Sequence, residues 1–497
     1  MQQYYTKIAR EGSISFGSQI ILVIINYLTA IFITRALGVE NYGLYSLGVA
    51  IIQTATIFAG FGLGDALLRY IALFLGKNDA INAKGVWYTV TRFLCISYVL
   101  LTTIILITAP FISNHLFNKP ELIPIIRILA LSYPATIIIS LVSIYFTAQK
   151  EFLIPVILQN VIQPGSKLIF ALIILFLSLG AVTWSWAFSI TAFLTALIAI
   201  NFYQKKLIWQ KKDVDPFSLK ILFKFSLPLW GAQALPIIFN QLSILLLGYF
   251  RESAEVGIYK VYVFFTSIIV MGLGALASIF YPVFSEIVAK NDKKLMQNIY
   301  QRVTKWYYLI TFSISILVLA FGNWLVPLLF GQDYSLSSPW LLYIIIGGHI
   351  LNALTGPDGM TIKALGWTKF ALFSSLISFS VNLIICYWLI PIHGMLGAAM
   401  ASMIAIGLSH FYGLSIIKRR LRIMILSRES RRFLAIGILT IISILILRHW
   451  IISFSEILTL GIKSLLIIIF FLIIKLNIID VDDQLIIVKF LKKIRLS

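Results

Sequence analysis

The sequence predicts an all-α, polytopic membrane protein with about fourteen transmembrane helices. Of its 497 residues, 60% are hydrophobic and 12% are charged, against about 45–50% apolar and about 25% charged residues in soluble globular domains. The apolar residues form continuous runs of about twenty, the length that one helix needs to cross a bilayer. Membrane barrels show alternating segments of about ten residues instead. Composition and run length exclude a soluble protein and a protein with one membrane anchor.

The first twelve runs form two sets of six, and two more runs follow. The first run comes after Lys7 and Arg10 but continues past Ile31 without a convincing cleavage site, which predicts a retained span rather than a signal peptide. The first set lies near residues 13–34, 43–64, 86–109, 122–147, 152–178 and 182–203. The others lie near 225–250, 257–282, 304–330, 339–357, 370–391, 394–417, 433–451 and 457–476.

These runs divide the chain into four parts. Residues 1–204 are predicted to form an N-terminal six-helix lobe and residues 225–417 a C-terminal six-helix lobe, joined by a cytoplasmic linker over 205–224. Residues 418–497 contain a basic loop, helices 13 and 14, and a cytoplasmic tail. We expect the tail to be amphipathic and basic over 481–494 and to lie on the membrane.

The formal charge of +21 follows the predicted topology rather than a nucleic-acid surface. With the N-terminus inside, the cytoplasmic segments hold 31 of the 40 Lys and Arg residues, and the exterior loops hold only four. Because an excess of cations marks cytoplasmic loops, both termini are predicted to be cytoplasmic and nucleic acid is not expected as a partner. The four exterior cations are Arg35, Lys119, Arg251 and Arg448.

The two sets of six spans carry an internal repeat. Residues 40–45 (ENYGLY) recur 214 residues later as 254–259 (AEVGIY). The same offset takes Gly180 to Gly394 near the start of the sixth span of each set. Because each repeat holds an even number of spans, the repeat is parallel, about an axis along the membrane normal. Two such lobes can enclose a cavity that opens alternately to either side of the membrane.

Three segments also resemble a known family. Residues 35–38 (RALG), 40–45 (ENYGLY) and 62–70 (GLGDALLRY) are similar to the opening of polysaccharide flippases, the O-antigen and exopolysaccharide carriers of the multidrug, oligosaccharidyl-lipid and polysaccharide exporter superfamily. Residues 255–259 (EVGIY) open the second half in the same way. The resemblance covers about residues 10–420 and implies a flippase rather than an enzyme.

The resemblance also implies a substrate and a setting. The expected substrate is a polyprenyl-diphosphate-linked oligosaccharide, carried from the cytoplasmic to the exterior leaflet of the bacterial plasma membrane without a cofactor. Membrane lipids and the glycan polymerase machinery are the expected partners. One departure concerns coupling, because relatives often carry an acidic residue toward the end of span 7, where this chain has Gln241 and Ser243.

Cations inside the predicted spans are the substrate-binding candidates. The spans contain no deep carboxylate, and buried cations without acidic partners suggest an anionic ligand. Lys167 lies about 16–22 Å from either end of its span. It follows Pro164 and Gly165, which favour a kink or a break whose N–H groups attract anions. Arg92 and Arg127 are further candidates, although both are close enough to a span end to snorkel.

Four charged residues are candidates for gating or coupling. Asp65 and Arg69 lie four residues apart at the end of span 2, where a surface pair on a helix end is the simpler interpretation. Asp358 lies at the predicted cytoplasmic end of span 10, as a helix cap or as a gating contact with Lys363.

Two histidines and two cysteines lie within apolar runs. His349 and His410 are expected to make interhelical hydrogen bonds rather than to carry protons. Cys95 and Cys386 provide neither a disulfide framework nor a cysteine-based metal site. No catalytic or metal-ligating motif is found, so neither site is predicted.

Two alternative functions differ from the flippase in what they require. A cation-coupled multidrug exporter of the same superfamily needs buried carboxylates, which the predicted spans lack. A membrane glycan polymerase or ligase needs a long exterior loop or domain, whereas the longest predicted exterior loops have about a dozen residues.

Overall fold

The computed structural model describes residues 2–206, 215–336, 339–422, 424, 426–450 and 456–477. Within these residues the chain is helical and contains no β-strand. Ten of the described helices are long and apolar enough to cross a membrane, and an eleventh span is added if two bent helices are taken together. The predicted all-α, polytopic membrane fold is therefore confirmed.

Helix bounds follow the two predicted sets of spans. The helices of the first half are α1 (Gln2–Gly60), α2 (Leu63–Gly76), α3 (Ala80–Phe111), α4 (Leu122–Leu131), α5 (Tyr133–Ala148), α6 (Leu153–Val156), α7 (Gln163–Leu177) and α8 (Ala181–Lys205). Those of the second half are α9 (Leu219–Phe250), α10 (Ser253–Ala289), α11 (Lys293–Phe330), α12 (Trp340–Leu354), α13 (Asp358–Ala364), α14 (Thr368–His393) and α15 (Met395–Leu421). The last two helices are α16 (Arg428–Trp450) and α17 (Glu456–Asn477).

Helix α1 contains both of the first two predicted spans. The spans are separated by a kink at Gly38, whose φ of 71° and ψ of 175° are not helical. That positive φ is open to glycine and strained for other residues. The segment after the kink, residues 40–45, is helical instead of forming a loop. One glycine is therefore enough to redirect the chain between two spans.

The chain divides into two compact units that are described separately. Unit 1 comprises Met1–Val261, Pro327–Ser335 and Asn382–Ala398, and unit 2 comprises Tyr262–Val326, Leu336–Val381 and Ala399–Ser497. Unit 1 thus contains the first half together with α9, the start of α10, one end of α11, the second half of α14 and the start of α15.

Each unit has its own apolar core. The unit 1 core includes Leu67, Tyr145 and Phe146, which are all fully buried. The unit 2 core includes Phe284 and Tyr300, which are also fully buried. Burial of an aromatic side chain stabilises a soluble fold by about 1.5–3 kcal/mol, but lipid tails are as apolar as a protein core, so close packing takes over this role in a membrane.

Many large apolar side chains remain exposed on the protein surface. Ile107, Phe176 and Trp388 are 72%, 83% and 70% exposed. In water such a surface would aggregate, whereas a bilayer solvates it at no cost. The exposed apolar residues are therefore those that we expect to face lipid.

Two sequence predictions lie outside the described residues. Residues 207–214 of the predicted linker and the predicted amphipathic tail over 481–494 belong to these parts of the chain. The neighbouring runs near 433–451 and 457–476 correspond to α16 and α17 where they are described.

Candidate functional site

Helices α1 and α10 cross within unit 1 at two glycines that the repeat predicts to be equivalent. A Cβ on Gly43 would overlap the carbonyl oxygen of Ser253, and a Cβ on Gly257 would overlap the carbonyl oxygen of Val39. Gly43 and Gly257 are 214 residues apart, and so are Val39 and Ser253. We call these four residues the glycine crossing. Its reciprocal geometry is what a two-fold axis between parallel repeats produces.

Two arginines that the sequence places outside the membrane cap helix ends beside the crossing. Arg35 Nε donates to the carbonyl of Leu329 at 2.8 Å, in the last turn of α11. Arg251 donates through Nη2 to the carbonyl of Pro391 at 2.8 Å, near the end of α14. A cation at a helix C-terminus also interacts favourably with the helix dipole. Arg35, in the first half, and Arg251, between α9 and α10, therefore hold the ends of α11 and α14 in place within unit 1.

A lysine and a glutamate complete this end of unit 1. Lys119 Nζ donates to the carbonyls of Gly248 and Arg251 at 2.7 and 2.9 Å, and burial lowers the pKa of this ammonium. Glu255 accepts a hydrogen bond from the backbone N–H of Met395 at 3.0 Å, at the N-terminus of α15. These groups border a cavity of ≈ 880 Å³ with charged lining residues Glu40, Lys119, Glu121, Arg251, Glu252 and Glu255.

Lys167, the first of the predicted substrate-binding residues, lies half-buried in α7. Its ammonium lies 4.0 Å from the centre of the Phe188 ring, on the neighbouring helix α8. Among the described residues it has no ion-pair partner within 4 Å. An aromatic ring face stabilises a cation by about 0.5–2 kcal/mol, less than a charged ligand can supply. Lys167 is therefore stabilised in place without being neutralised.

The helix that carries Lys167 is continuous, so of the kink or break that the sequence predicts, the break is wrong. Residues Ile157–Ile162 form a π-helical segment, and α7 begins directly after it at Gln163. Ser166 does not cap a second half-helix, because its hydroxyl donates to the carbonyl of Gln163 at 3.0 Å. Pro164 lies in the first turn of α7, where its missing N–H costs least. The wider π-helical turns accommodate the proline within a continuous helix.

Arg92 and Arg127, the other two substrate-binding candidates, are both exposed. Arg127 Nε donates to the carbonyl of Leu106 at 3.3 Å, so this guanidinium is partly occupied by the backbone of α3. Arg92 also lies on α3, and no described residue lies within hydrogen-bonding distance of its guanidinium. Arg92 is therefore the freer of the two cations.

Asp65 and Arg69 have separate partners instead of forming the expected surface pair. Asp65 accepts a hydrogen bond from Gln233 Nε2 at 3.0 Å. The Arg69 guanidinium lies 4.2 Å from the centre of the Phe225 ring. Gln233 and Phe225 both belong to α9, so this end of α2 is attached to the first helix of the second half. Both contacts lie within unit 1.

Neutral polar residues occupy the end of span 7, where the family resemblance led us to look for an acidic residue. Gln241 donates to Gln53 at 2.7 Å. Ser243 lies 3.5 Å from the side-chain oxygen of Asn382 and 3.7 Å from the Cys386 sulfur, and all three are buried. The described hydrogen-bond partners of Gln241 and Ser243 are therefore all neutral.

Asp358 contacts His410, not Lys363. Its carboxylate is buried, with 3% of the residue exposed, and Oδ1 lies 2.9 Å from His410 Nδ1. Thr355 Oγ1 donates to the same oxygen at 3.2 Å. Lys363 is exposed and forms no ion pair with Asp358 in this structure, so the gating contact between them stays a prediction. A helix break lies beside the acid: α12 and α13 are bent by 40° and are together long and apolar enough for one span, so the helical chain continues to Ala364, past the span end predicted at residue 357.

The buried acid was missed because its surroundings look like a span end. Thr355-Gly356-Pro357 interrupts an apolar run, and a proline after such a run is also a typical helix stop. The seven residues of α13 that follow are a second helical segment that could have been recognised from their apolar members. The expected interhelical hydrogen bond of His410 is confirmed. The interhelical hydrogen bond that we expected for His349 is not formed by its Nε2 atom, which is buried without a partner among the described residues.

Comparisons with known proteins place these features in context. Residues 8–288, more than half of the chain, match the protein family described as "Polysaccharide biosynthesis protein", and residues 228–388 match the family described as MatE. An uncharacterized membrane protein of Methanocaldococcus jannaschii is 24% identical over 463 residues, which covers 85% of this chain and 86% of the relative. A Shigella flexneri protein whose name assigns it, provisionally, to O-antigen transport is 24% identical over 74% of this chain and 88% of its own.

The fold is also found among solved structures. The lipid II flippase MurJ, in an inward closed conformation, superimposes with a TM-score of 0.71. The match covers 95% of this chain and 100% of that structure, at 14% sequence identity. At that identity the similarity concerns the fold alone, and it extends over both halves of the chain.

Proposed function

We propose a function for this chain from one premise: it belongs to the polysaccharide biosynthesis protein family. It is a flippase that carries a lipid-linked oligosaccharide, held by a polyprenyl diphosphate, from the cytoplasmic to the exterior leaflet. It works in the plasma membrane of a bacterium, with both termini in the cytoplasm. Membrane lipids surround it, and glycan polymerase machinery receives its product.

The observation that carries the proposal is Lys167. An ammonium that lies deep in a span, without an acidic partner among the described residues, is costly unless it serves a ligand or an ion path. The Phe188 ring offers only a weak substitute for a counter-charge. A diphosphate supplies several charge-assisted hydrogen bonds, which are about twice as strong as neutral ones. A bound diphosphate therefore stabilises the charge of Lys167 more than the Phe188 ring alone does.

Arg92 provides a second positive charge, which attracts the diphosphate as the substrate approaches. Its exposed guanidinium has no described partner to give up, so it can attract a diphosphate at little cost. Arg127 contributes less, because its Nε already donates to the Leu106 carbonyl. The three cations thus differ in availability, and we assign the strongest role to Lys167.

Movement of the substrate requires that the predicted exterior end of unit 1 open and close. The glycine crossing and the two arginine caps hold that end together, so they must separate when the substrate leaves to the exterior leaflet. Backbone contacts at glycines separate without any side chain having to change rotamer. Alternating access through parallel repeats provides the frame for this motion.

A cation-coupled multidrug exporter of the same superfamily is the second candidate, and two observations favour it. Residues 228–388 match the MatE family. Asp358 provides a buried carboxylate, which such an exporter needs and the sequence did not predict. Against it stand Gln241 and Ser243, the neutral residues at the position where relatives often carry an acid.

Cells that lack the protein test the proposal. We expect their radiolabelled lipid-linked glycan to accumulate unexported and a plasmid copy of the chain to restore export. Ethidium efflux, measured in the same strains, distinguishes the exporter. Normal glycan export together with lost ethidium efflux would replace the flippase by the second candidate.

Orientation is tested with impermeant thiol labelling in intact cells, after Cys95 and Cys386 are replaced by serine. A cysteine at His115 should be labelled and a cysteine at Lys294 protected, because the cation distribution places these residues on opposite sides. The reverse pattern would invert the topology.

A further inference from the structure

Unit 2 contains a buried acid–histidine pair at the break between α12 and α13. Asp358 Oδ1 lies 2.9 Å from His410 Nδ1, and Thr355 Oγ1 donates to the same oxygen at 3.2 Å. Asp358 is 3% exposed. It is the only acidic residue that is buried to this degree in the part of the chain that the structure describes. Its position demands an explanation, because an uncompensated buried charge is strongly unfavourable.

Helix α15 encloses the other side of the carboxylate. A Cβ on Gly413 would lie 2.6 Å from Asp358 Oδ2, so only a glycine lets the two helices approach this closely. His410 is on the same helix, one turn earlier. The carboxylate is therefore held between the helix break and two residues of α15.

The polar groups of α11 bind the helix break rather than the acid. The Tyr300 hydroxyl donates to the carbonyl of Thr355 at 2.5 Å, and the Tyr308 hydroxyl donates to the carbonyl of Leu354 at 2.9 Å. Tyr307, on the same helix, also faces the charge of Asp358.

No described lysine or arginine neutralises the acid. On α13 itself Lys363 is exposed, and the ion-pair partner of Asp358 within 4 Å is His410. The charge of the pair therefore depends on one proton.

We propose that Asp358 and His410 form a proton-binding site that drives the transport cycle. The proposal rests on the proposed function, whose driving force it names. With the proton bound, an imidazolium faces a carboxylate and the pair is neutral overall. Without the proton, a neutral imidazole leaves the buried carboxylate uncompensated. One proton enters from water on one side of the membrane and leaves to water on the other, and no other bond is made or broken.

The helix break converts the change in charge into movement. Residues 355–357 are not helical, and Gly356 has a φ of +68°. Pro357 has no N–H to join the two helices by a hydrogen bond. When the proton leaves, the carboxylate gains free energy by reaching water, and α13 can turn away from α15 about these three residues. Proton binding therefore favours the packed arrangement, and proton release favours the open one.

The first test uses the purified full-length chain in detergent, without any glycan. The midpoint of thermal unfolding is measured from about pH 5 to about pH 8, the range in which histidine titrates. A pair that holds its proton more tightly in the folded state stabilises the protein at low pH and loses this contribution as the pH rises. We expect the wild-type midpoint to fall with rising pH, and the fall to vanish or reverse in Asp358→Asn.

Two further variants make this test decisive. The double variant Asp358→Asn/His410→Gln leaves no uncompensated charge, so it should fold even if a single variant does not, and its slope should be as flat. His393→Gln, which replaces an exposed histidine outside the pair, should keep the wild-type slope. A wild-type slope in either Asp358→Asn or the double variant would overturn the proposal.

The second test separates the failure of the driving force from the failure of the proposed function. Export of radiolabelled lipid-linked glycan is compared between wild type and Asp358→Asn at equal amounts in the membrane. We expect about a tenfold loss, within the range of typical coupling energies. Equal export by both proteins would overturn proton coupling while the flippase stands. The opposite result is also informative. If wild type exports no glycan, but its unfolding midpoint still falls with rising pH and this fall is lost in Asp358→Asn, the flippase proposal fails and the proton site stands.

Discussion

The two halves of the chain treat a charge inside an apolar helix in opposite ways. Lys167, in the first half, lies against the Phe188 ring and has no acidic partner among the described residues. Asp358, in the second half, is enclosed and paired with His410 at 2.9 Å. A charge without an acidic partner can be neutralised by a bound ligand, whereas a charge whose partner titrates can be neutralised by a proton. If Lys167 binds the substrate and Asp358 the proton, as we propose, the two halves divide substrate binding and driving force between them.

The largest effect is expected when Lys167 is changed. Glutamate would repel the diphosphate, alanine would only remove the attraction, and arginine would keep the charge with a different shape. The expected order of export is wild type, Lys167→Arg, Lys167→Ala and Lys167→Glu. Loss of a buried charge partner costs about 2–5 kcal/mol, so the alanine variant should lose more than about tenfold.

Complementation of glycan export, normalised to protein in the membrane, measures the Lys167 series. Ser166→Ala is a matched control, because that hydroxyl only donates to the backbone of its own helix. Equal export by Lys167→Glu and wild type would remove Lys167 from the substrate path, and the two halves would no longer differ as proposed.

The next effect concerns the glycine crossing, which belongs to unit 1 alone. Gly43→Ala places a methyl group against the Ser253 carbonyl, so α1 and α10 must move apart. Overpacking of this kind costs about 1–3 kcal/mol and should favour the state in which the predicted exterior end is open. Labelling of a cysteine at Glu252 should become faster in Gly43→Ala, and Gly180→Ala, where nothing lies within 4 Å, serves as the control. Unchanged labelling would mean that the crossing does not part.

A smaller effect is expected from Gly413→Ala, the equivalent change in unit 2. The added methyl group would meet Asp358 Oδ2 at 2.6 Å and push the acid away from α15. Because the break at Gly356 and Pro357 can give way, we expect a moderate loss of stability, of about 1 kcal/mol, and a flatter pH dependence of unfolding. Gly359→Ala, which meets nothing within 4 Å, is the control. The same pH dependence in Gly413→Ala and wild type would argue that α15 does not hold the acid in place.

Sequence reasoning predicted the fold well because the bilayer simplifies it. Run length identifies the spans, and the offset of 214 residues correctly pairs Gly43 with Gly257, which meet in the structure. The local breaks were harder to predict. Pro164 suggested a kink or a break where π-helical turns keep the helix continuous, and Pro357 suggested a span end where a second helix follows. A proline removes one hydrogen bond in either case, and the packing around it decides whether the helix bends, widens or stops.

The smallest effect on export is expected from Arg92 and Arg127. Comparing them tests whether a cation without a partner contributes more to substrate binding than a cation that already donates to the backbone. Arg127 already donates to the Leu106 carbonyl at 3.3 Å, whereas the exposed guanidinium of Arg92 has no described partner.

If availability decides whether a cation binds the substrate, the Arg92 variants should follow the Lys167 order with smaller differences. Export should fall from wild type through Arg92→Lys and Arg92→Ala to Arg92→Glu. An exposed charge is screened by water and salt, so Arg92→Ala should reduce export by about two- to fivefold, as expected for a contact of about 0.5–1 kcal/mol. Arg127→Ala should reduce export less, and its loss should not depend on salt. A larger, salt-independent loss in Arg127→Ala than in Arg92→Ala would show that the hydrogen bond to the backbone prepares Arg127 for the substrate rather than occupying it.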